Sequence, residues 1–312
     1  MKRVIVSGGA GFVGSAVVKE LLGHGAEVFV IVRPGFSEKS EKSRLSGLPV
    51  HLVECDIRNI AALPELLPER GIDAWYQFAW EGLRGEALTD YTLQIRNIQW
   101  VMDAIKTAAA LGCGKFIGSG SVSQYELHTP EGQAVAADKH KVYKTAKLCC
   151  EYMGKSVALE HGIKFVWPII TNIYGVGESS PRLINTMIRN LQAGRHQSLS
   201  EGNQMYDFIY ISDAAKAFRL IGEAGRENRV YAIAQGQVQP LKNFLTVVRD
   251  VVAPEAVLGF GEMGFNGVYL PASCYDISQL AEDTGFSPDV PFAEGIRRTA
   301  EWIAGENEKG RK

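Results

Sequence analysis

Tyr143 and Lys147 stand in the run Val142-Tyr143-Lys144-Thr145-Ala146-Lys147-Leu148. On a helix, a spacing of four puts two side chains on one face, with Cβ atoms roughly 5–6 Å apart. A phenol has a reference pKa of about 10 and is a poor proton shuttle at neutral pH. An ammonium about 4 Å away, at an effective dielectric of about 20, would stabilise the phenolate by on the order of 4 kcal/mol. At about 1.4 kcal/mol per unit, such a neighbour draws the phenol toward 7, less what burial takes back. The pair alone also fits a solvated helix face. What favours the chemical reading is the glycine-rich start of the chain.

Residues Lys2–Ser7 form a predicted buried strand, followed by Gly8-Gly9-Ala10-Gly11-Phe12-Val13-Gly14. An amphipathic stretch over Ser15–Leu22 and a second apolar run over Glu27–Val32 come next. Strand, glycine turn, helix, strand is the context in which a glycine fingerprint carries meaning. The spacing here is GxxGxxG. Gly8 permits a tight turn, Gly11 lets backbone approach a pyrophosphate, and Gly14 lets the helix sit close to the sheet. The phosphates would lie at the helix amino terminus. A glycine-rich turn without ligand is the alternative.

A site for NAD places an acid at the end of the second strand, on the ribose 2′-hydroxyl. This chain has Val32-Arg33-Pro34-Gly35 there, and no acid before Glu38. Arginine suits a 2′-phosphate through charge-assisted, bidentate hydrogen bonds. Lys39, Lys42 and Arg44 either add positive potential or form a solvated loop. The expectation is NADP(H) over NAD(H).

With these residues in view, the chain resembles the extended short-chain dehydrogenase/reductase family, in its NAD-dependent epimerase/dehydratase group, which works on nucleotide-activated sugars. Gly8, Gly11 and Gly14 match the family's cofactor loop, into which Phe12 and Val13 fall. Cys55-Asp56-Ile57-Arg58 is similar to its adenine-contacting segment. Asp73 to Trp80 is similar to its fourth strand, where Phe78, Ala79 and Trp80 would pass the cofactor. Asn97 falls where the family keeps an asparagine, inside a helical pattern from Leu88 to Leu111. Counting back from Tyr125 along Ser119-Gly120-Ser121-Val122-Ser123-Gln124-Tyr125 puts the catalytic hydroxyl at Ser121, with Ser123 as the fallback. Tyr143 and Lys147 match the family's YxxxK pair. Asn172, in Thr171-Asn172-Ile173-Tyr174-Gly175, resembles its substrate-contacting asparagine, and Asp207 to Asp213 a late strand-to-helix signature.

Departures from the pattern limit what carries over. Tyr206 stands where the family often has a diphosphate-gripping arginine, and Ile170 replaces another arginine ahead of the asparagine loop. Arg182, Arg189 and Arg195 are candidate replacements. Dehydratases of the family resemble one another in an Asp-Glu pair after the catalytic hydroxyl; Val122-Ser123 stands here instead.

The 312 residues suit one large domain or two intimate ones. Lys and Arg total 33 against 35 Asp and Glu, a net charge of −2, so no basic surface for nucleic acid is expected. No apolar run of about 20 residues occurs, which argues against a membrane span. The opening Met1-Lys2-Arg3 runs directly into a strand, without a signal peptide's apolar core, so a soluble, cytoplasmic protein is expected. Five scattered cysteines suit a reducing compartment and show no metal-ligand spacing. Cys150 reads as small buried packing. The six histidines pair with no obvious carboxylate, and no metal is expected.

Strand and helix patterns alternate to about Ile170, which predicts an α/β fold with a doubly wound parallel (Rossmann) sheet. The dinucleotide domain is expected over 1–170, with about 207–250 returning to it. A smaller, interleaved C-terminal substrate domain is expected over 171–312. In that half, helices are expected over 182–192, 241–252 and 292–304, a strand over 230–234, and a frayed charged tail from Glu306. Trp80, Trp167 and Tyr206 either line a substrate pocket or belong to the core.

The resemblance implies an NADPH-dependent reductase of a keto-sugar, a nucleotide-linked 4-keto-6-deoxyhexose. Tyr143 would be the general acid, Ser121 would hold the carbonyl oxygen, and Lys147 the nicotinamide ribose. Ser123 and Asn172 would contact substrate. The alternatives are an NAD-dependent nucleotide-sugar epimerase and a non-catalytic NADP-sensing protein. A homodimer through helices 88–111 and 139–161 is implied as well.

Overall fold

The computed structural model describes residues 1–37, 43–130, 132 and 141–309. Lys39, Lys42 and the first two residues of the helix expected over 139–161 lie outside the described residues. The chain divides into two compact units. One comprises Met1–Ile170, Ala215–Ala232 and Ser278–Phe286, the other Thr171–Ala214, Ile233–Ile277 and Ser287–Lys312.

The first unit is built on strands β1 (Arg3–Ser7), β2 (Glu27–Val32), β3 (His51–Glu54), β4 (Ala74–Gln77), β5 (Lys115–Ile117), β6 (Gly120–Ser121) and β7 (Lys164–Ile170). Their order is β3-β2-β1-β4-β5-β7, with Val230–Ile233 beyond β7 and β6 paired to β7. The pairings of β1 to β7 are parallel. This is the expected doubly wound Rossmann sheet. The order reverses between β1 and β4, so a crevice opens at the carboxyl ends of those two strands. Val4, Ile5 and Val6 of β1 and Val28 to Val32 of β2 are all buried, as strands covered on both faces must be.

Four helices of this unit carry labels: α1 (Phe12–Gly23), α2 (Leu63–Leu66), α3 (Tyr91–Ala110) and α4 (Lys141–Glu160). Asp90 caps α3 by accepting the Leu93 N–H at 3.1 Å, which satisfies one of the helix's orphan donors. That cap begins the helix three residues later than the pattern from Leu88 suggests, behind a 3₁₀ turn over Gly85–Leu88. α3 and α4 pack against each other. Their closeness follows from small residues, Ala146, Cys150, Gly154 and Ala158, which recur every four positions on the buried face of α4. A Cβ at Gly154 would stand 2.6 Å from the Phe165 ring. Cys150 is indeed buried packing.

Lys115 ties the returning segment to the sheet. Its Nζ donates to the carbonyls of Ile221, Gly222 and Gly225 at 3.0, 2.9 and 2.8 Å, capping the end of helix Ile211–Ala224. Burial lowers this ammonium to about 8.

The second unit holds short strand pairs and three helices, Leu183–Gln192, Leu241–Val252 and Phe292–Lys309. Asn172–Tyr174 pairs in parallel with Phe208–Tyr210. Tyr174, Phe208, Phe244 and Phe292 pack edge-on or tilted at 4.8–5.6 Å between most ring centres, forming its aromatic core.

Three expectations are corrected. The last helix continues to Lys309 rather than ending at 304, with Ile296, Thr299 and Ile303 forming one buried stripe. A helix over Ser278–Thr284 was not expected, because only Leu280 and the Asp283 carboxylate mark it. That carboxylate is buried against Tyr231 and Arg226, both at 2.8 Å. Histidines do pair with acids, at His24–Glu20, His51–Glu27 and His196–Glu262; the last two partners come from distant positions that only folding brings near. Of the two readings open for Trp167, core is the one the fold takes: it is 1% exposed and stacked on Phe165.

Gly118, just past β5, leaves room for that indole, since a Cβ there would lie 2.1 Å from its ring. Gly118→Ala is expected to lower stability by about 2–3 kcal/mol, the cost of an overpacked core, read as a drop in urea midpoint with unchanged m-value.

Candidate active site

The crevice is shaped first by the turn after β1. Gly8 has φ +81°, and a Cβ on it would stand 2.6 Å from the Ala79 nitrogen. Ser7 O holds the same strand end from the other side, accepting from Phe78 N and Ala79 N at 2.8 and 3.1 Å. A Cβ on Gly14 would lie 2.3 Å from Gly8 O. Only glycine at both positions lets α1 close onto β1 and β4. Gly11 is the N-cap of α1, with no side-chain cap and no acid in the first turn. A Cβ on it would meet only Gly8 O, at 3.2 Å. The amides of the first turn, which begins with Phe12 and Val13, are thus offered to an anion. This uncapped cradle fits a dinucleotide pyrophosphate.

The loop after β4 is pinned by two residues one turn apart on α3. Asn97, 1% exposed, donates to Glu81 O and Leu93 O at 2.9 and 3.2 Å and accepts from Glu81 N at 2.9 Å. Its amide is thereby bonded to backbone and shapes the crevice. Gln94 accepts the Trp80 Nε1–H at 2.9 Å and donates to Ala87 O at 2.9 Å. Gln94 carries no sequence motif and was not anticipated.

Lys147 is buried, with Nζ donating to Ser119 O at 2.9 Å and lying 3.6 Å from the centre of the Trp80 ring. The Trp80 ring meets the Tyr143 ring edge to face, 6.0 Å between centres. Helix α4 does bring the pair to one face, but Nζ is 5.9 Å from the Tyr143 ring centre. Burial lowers Lys147 to about 7, with Cys150 opposing weakly. The expected ammonium beside the phenol is therefore revised in its charge. The lysine itself titrates near neutrality, because it has left water.

Ser121 caps the 3₁₀ turn Val122–His128. Its Oγ shares a hydrogen bond with Ser123 Oγ at 2.9 Å. Gln124 closes a capping box by accepting Ser121 N–H at 3.2 Å, and its Nε2 donates to Glu151 of α4 at 2.6 Å. The serine turn is thus tethered to the helix that carries Tyr143 and Lys147. Ser-x-x-Gln is a legible capping signal, and it would have revealed Gln124.

At the far edge of the sheet, Asp56 accepts Arg58 N, Nε and Nη2 at 2.9, 2.9 and 2.6 Å. Arg58, with Arg33 contributing, holds the Asp56 carboxyl below its usual range. Ile57 is buried. Arg33 is exposed at the end of β2. Arg44 Nη1 reaches the glycine turn, 3.4 Å from Ala10 O, while Glu54 accepts Gly35 N–H at 3.2 Å. Phe78 packs edge-on against Phe218 at 4.8 Å.

Asn172 stands in the second unit, donating to Asp207 O at 2.9 Å. With Arg182, Asn185 and Tyr206 it lines a cavity of about 200 Å³. Asn185 is 1% exposed and its Oδ1 has no hydrogen-bond partner among the described residues. Arg182, of the three candidate arginines, is the one that lines it.

Residues 4–234 match the model of the NAD dependent epimerase/dehydratase family. The chain belongs to that family. It is thereby an NAD(P)-dependent enzyme. It is 25% identical to a dTDP-glucose 4,6-dehydratase of Streptomyces niveus, over 96% of this chain and 92% of the relative. It is 24% identical to a dTDP-4-dehydro-6-deoxy-D-allose reductase of a Streptomyces species, over 96% of each. The UDP-N-acetylglucosamine 4-epimerase of Methanobrevibacter ruminantium M1, solved with UDP-N-acetylmuramic acid, shares the fold, with a TM-score of 0.80, 22% identity, and coverage of 98% and 99%. No helix among the described residues is long and apolar enough to cross a membrane.

Gly11→Asp separates fold from binding. An aspartate N-cap suits α1, so thermal stability is expected to hold or rise slightly. Its charge at the anion cradle is expected to weaken dinucleotide binding about 100-fold, measured by isothermal titration.

Proposed function

We propose that the chain is an NADPH-dependent reductase of a keto-sugar carried on a nucleotide, a 4-keto-6-deoxyhexose. The observation that carries this reading is the exposed Arg33 at the end of β2, where NAD sites place an acid. Arg44 beside the glycine turn adds a second guanidinium on that side. Asp56, engaged by Arg58, has its carboxylate committed. A 2′-phosphate suits this charge pattern better than a bare ribose.

Bound over the glycine turn, a reduced nicotinamide supplies hydride to the substrate carbonyl carbon. Tyr143 gives its proton to the oxygen as that oxygen gains charge. Ser121 donates a hydrogen bond to the same oxygen and fixes its position, and Ser123, hydrogen-bonded to it, orients that hydroxyl. Lys147 holds the nicotinamide ribose. Asn172 contacts the substrate, and Arg182 stands in for the missing diphosphate-gripping arginines. The cavity beside them, about 200 Å³, takes one moiety of a nucleotide sugar, being below the usual size for a whole ligand of roughly 300–1,000 Å³.

Among the reactions of its relatives, 4,6-dehydration fits least. The two positions after Ser121 are Val122, packed against the core, and Ser123, and neither offers a carboxyl. Epimerisation is the second reading, favoured by the likeness to the 4-epimerase fold. It predicts tightly held NAD that copurifies and no net consumption of cofactor. A homodimer through α3 and α4 is part of this reading. Tyr91, Ile95, Tyr152 and Met153 are 48–68% exposed on those helices.

NADPH with a panel of keto-sugar nucleotides tests the reductase. At least one is expected to oxidise NADPH stoichiometrically; oxidation by none counts against the reading. Tyr143→Phe is expected to lose at least about 100-fold in kcat while retaining cofactor affinity. Arg33→Ala is expected to shift the KM ratio for NADPH over NADH by about tenfold; an unchanged ratio removes the NADPH assignment. Ile95→Glu is expected to convert a dimer to monomer by light scattering, and a wild-type monomer would remove that assignment.

A further inference from the structure

Lys147 is 4% exposed, yet no carboxylate pairs with it among the described residues. Glu151, one turn further along α4, is taken by Gln124 and Lys155. A buried ammonium without a counter-charge is costly. Its surroundings are the Ser119 carbonyl, the Trp80 indole, and two groups of its own helix, Tyr143 and Cys150. Cys150, pushed up to about 12 by burial, stays a neutral thiol. The indole face, 3.6 Å from Nζ at its ring centre, is therefore the main electron-rich surface opposite the Ser119 carbonyl. A desolvated ammonium over tryptophan is the strongest form of this contact.

The indole is itself held. Its Nε1–H is bonded to Gln94, and Gln94 is 1% exposed and bonded to the loop carbonyls of Ala87 and Gly82. An ammonium has three N–H donors. One goes to Ser119 O, one is directed by the indole face, and the third is left for the cofactor ribose.

We propose that Trp80 is a positioning residue of the reaction, its ring face replacing a carboxylate in keeping Lys147 charged and aimed. This rests on the reading of Lys147 as the residue that holds the nicotinamide ribose. The contact favours the charged lysine, so its loss lowers the lysine's pKa further. Lysine charge would then be lost at lower pH than in wild type, and with it the hold on the dinucleotide.

Isothermal titration of the full-length protein with NADPH, from pH 5.5 to 9, reads this directly in wild type, Trp80→Phe and Trp80→Leu. In wild type, Kd is expected to begin rising near pH 7, where Lys147 titrates. In Trp80→Leu that break is expected to move toward acid by about one pH unit. The ratio of variant to wild-type Kd would then be about tenfold larger at pH 8 than on the acid plateau. Trp80→Phe keeps a weaker ring face and is expected to move the break by less than half as much. It decides the matter alone if the leucine variant does not fold. Affinity lowered equally at every pH would mean that Trp80 only shapes the pocket, and would overturn the proposal, as would an unmoved break. A wild-type protein that binds no dinucleotide would remove the functional reading and this inference together; a wild type that binds with breaks unmoved in the variants removes this inference alone.

Discussion

A lysine taken out of water must be held by something else, and the surroundings of Lys147 organise much of this crevice. The ammonium needs acceptors within the low-dielectric interior. Ser119 O supplies one from the end of β5, and Trp80 supplies a ring face from the end of β4. Both strand ends must therefore sit at fixed distances from α4. The small-residue face of α4, at Ala146, Cys150, Gly154 and Ala158, permits that approach. Burial in turn brings Lys147 to about 7, into the range where a modest change in surroundings alters its charge at physiological pH.

The rest of the crevice is built by the same logic of backbone held close to backbone. Gly8 against Ala79, and Gly14 against Gly8 O, join β1, α1 and β4 at distances that no Cβ would allow. Gln94 and Asn97 pin the loop after β4 from one face of α3. Gln124 and Glu151 fasten the serine turn to α4. Each tether uses a buried amide whose bonds are made to protein, so each serves geometry. The second unit repeats the device. Asp207 accepts the N–H groups of Gln235 and Gln237 at 2.6 and 2.7 Å, and its own carbonyl receives the Asn172 amide.

Electrostatics separates the two ends of the crevice. Around the glycine turn the amides of α1 and the guanidinium of Arg44 favour an anion. Beside Tyr143 stand a lysine that burial brings to about 7 and the Trp80 ring. A carboxylate beside Lys147 would hold it charged across the physiological range.

Much of the fold was legible from residue order. Alternating apolar runs and helical patterns specify parallel strands buried on both faces, and glycines at 8 and 14 specify a turn that nothing larger can make. Tyr143 and Lys147 follow from helical spacing, and Arg33 from its position at a strand end. These are local properties, set by steric limits and periodicity within about one element. Other features were decided only by folding. Trp80 over Lys147, Gln94 beneath Trp80 and Arg44 against Ala10 join positions remote in the chain, and so does the acid partner of His196. Trp167 could be core or lining until Gly118 opened a slot for it. The pKa of Lys147 belongs to this second class, because desolvation depends on what the whole chain packs around a side chain, and no short run of residues carries that information.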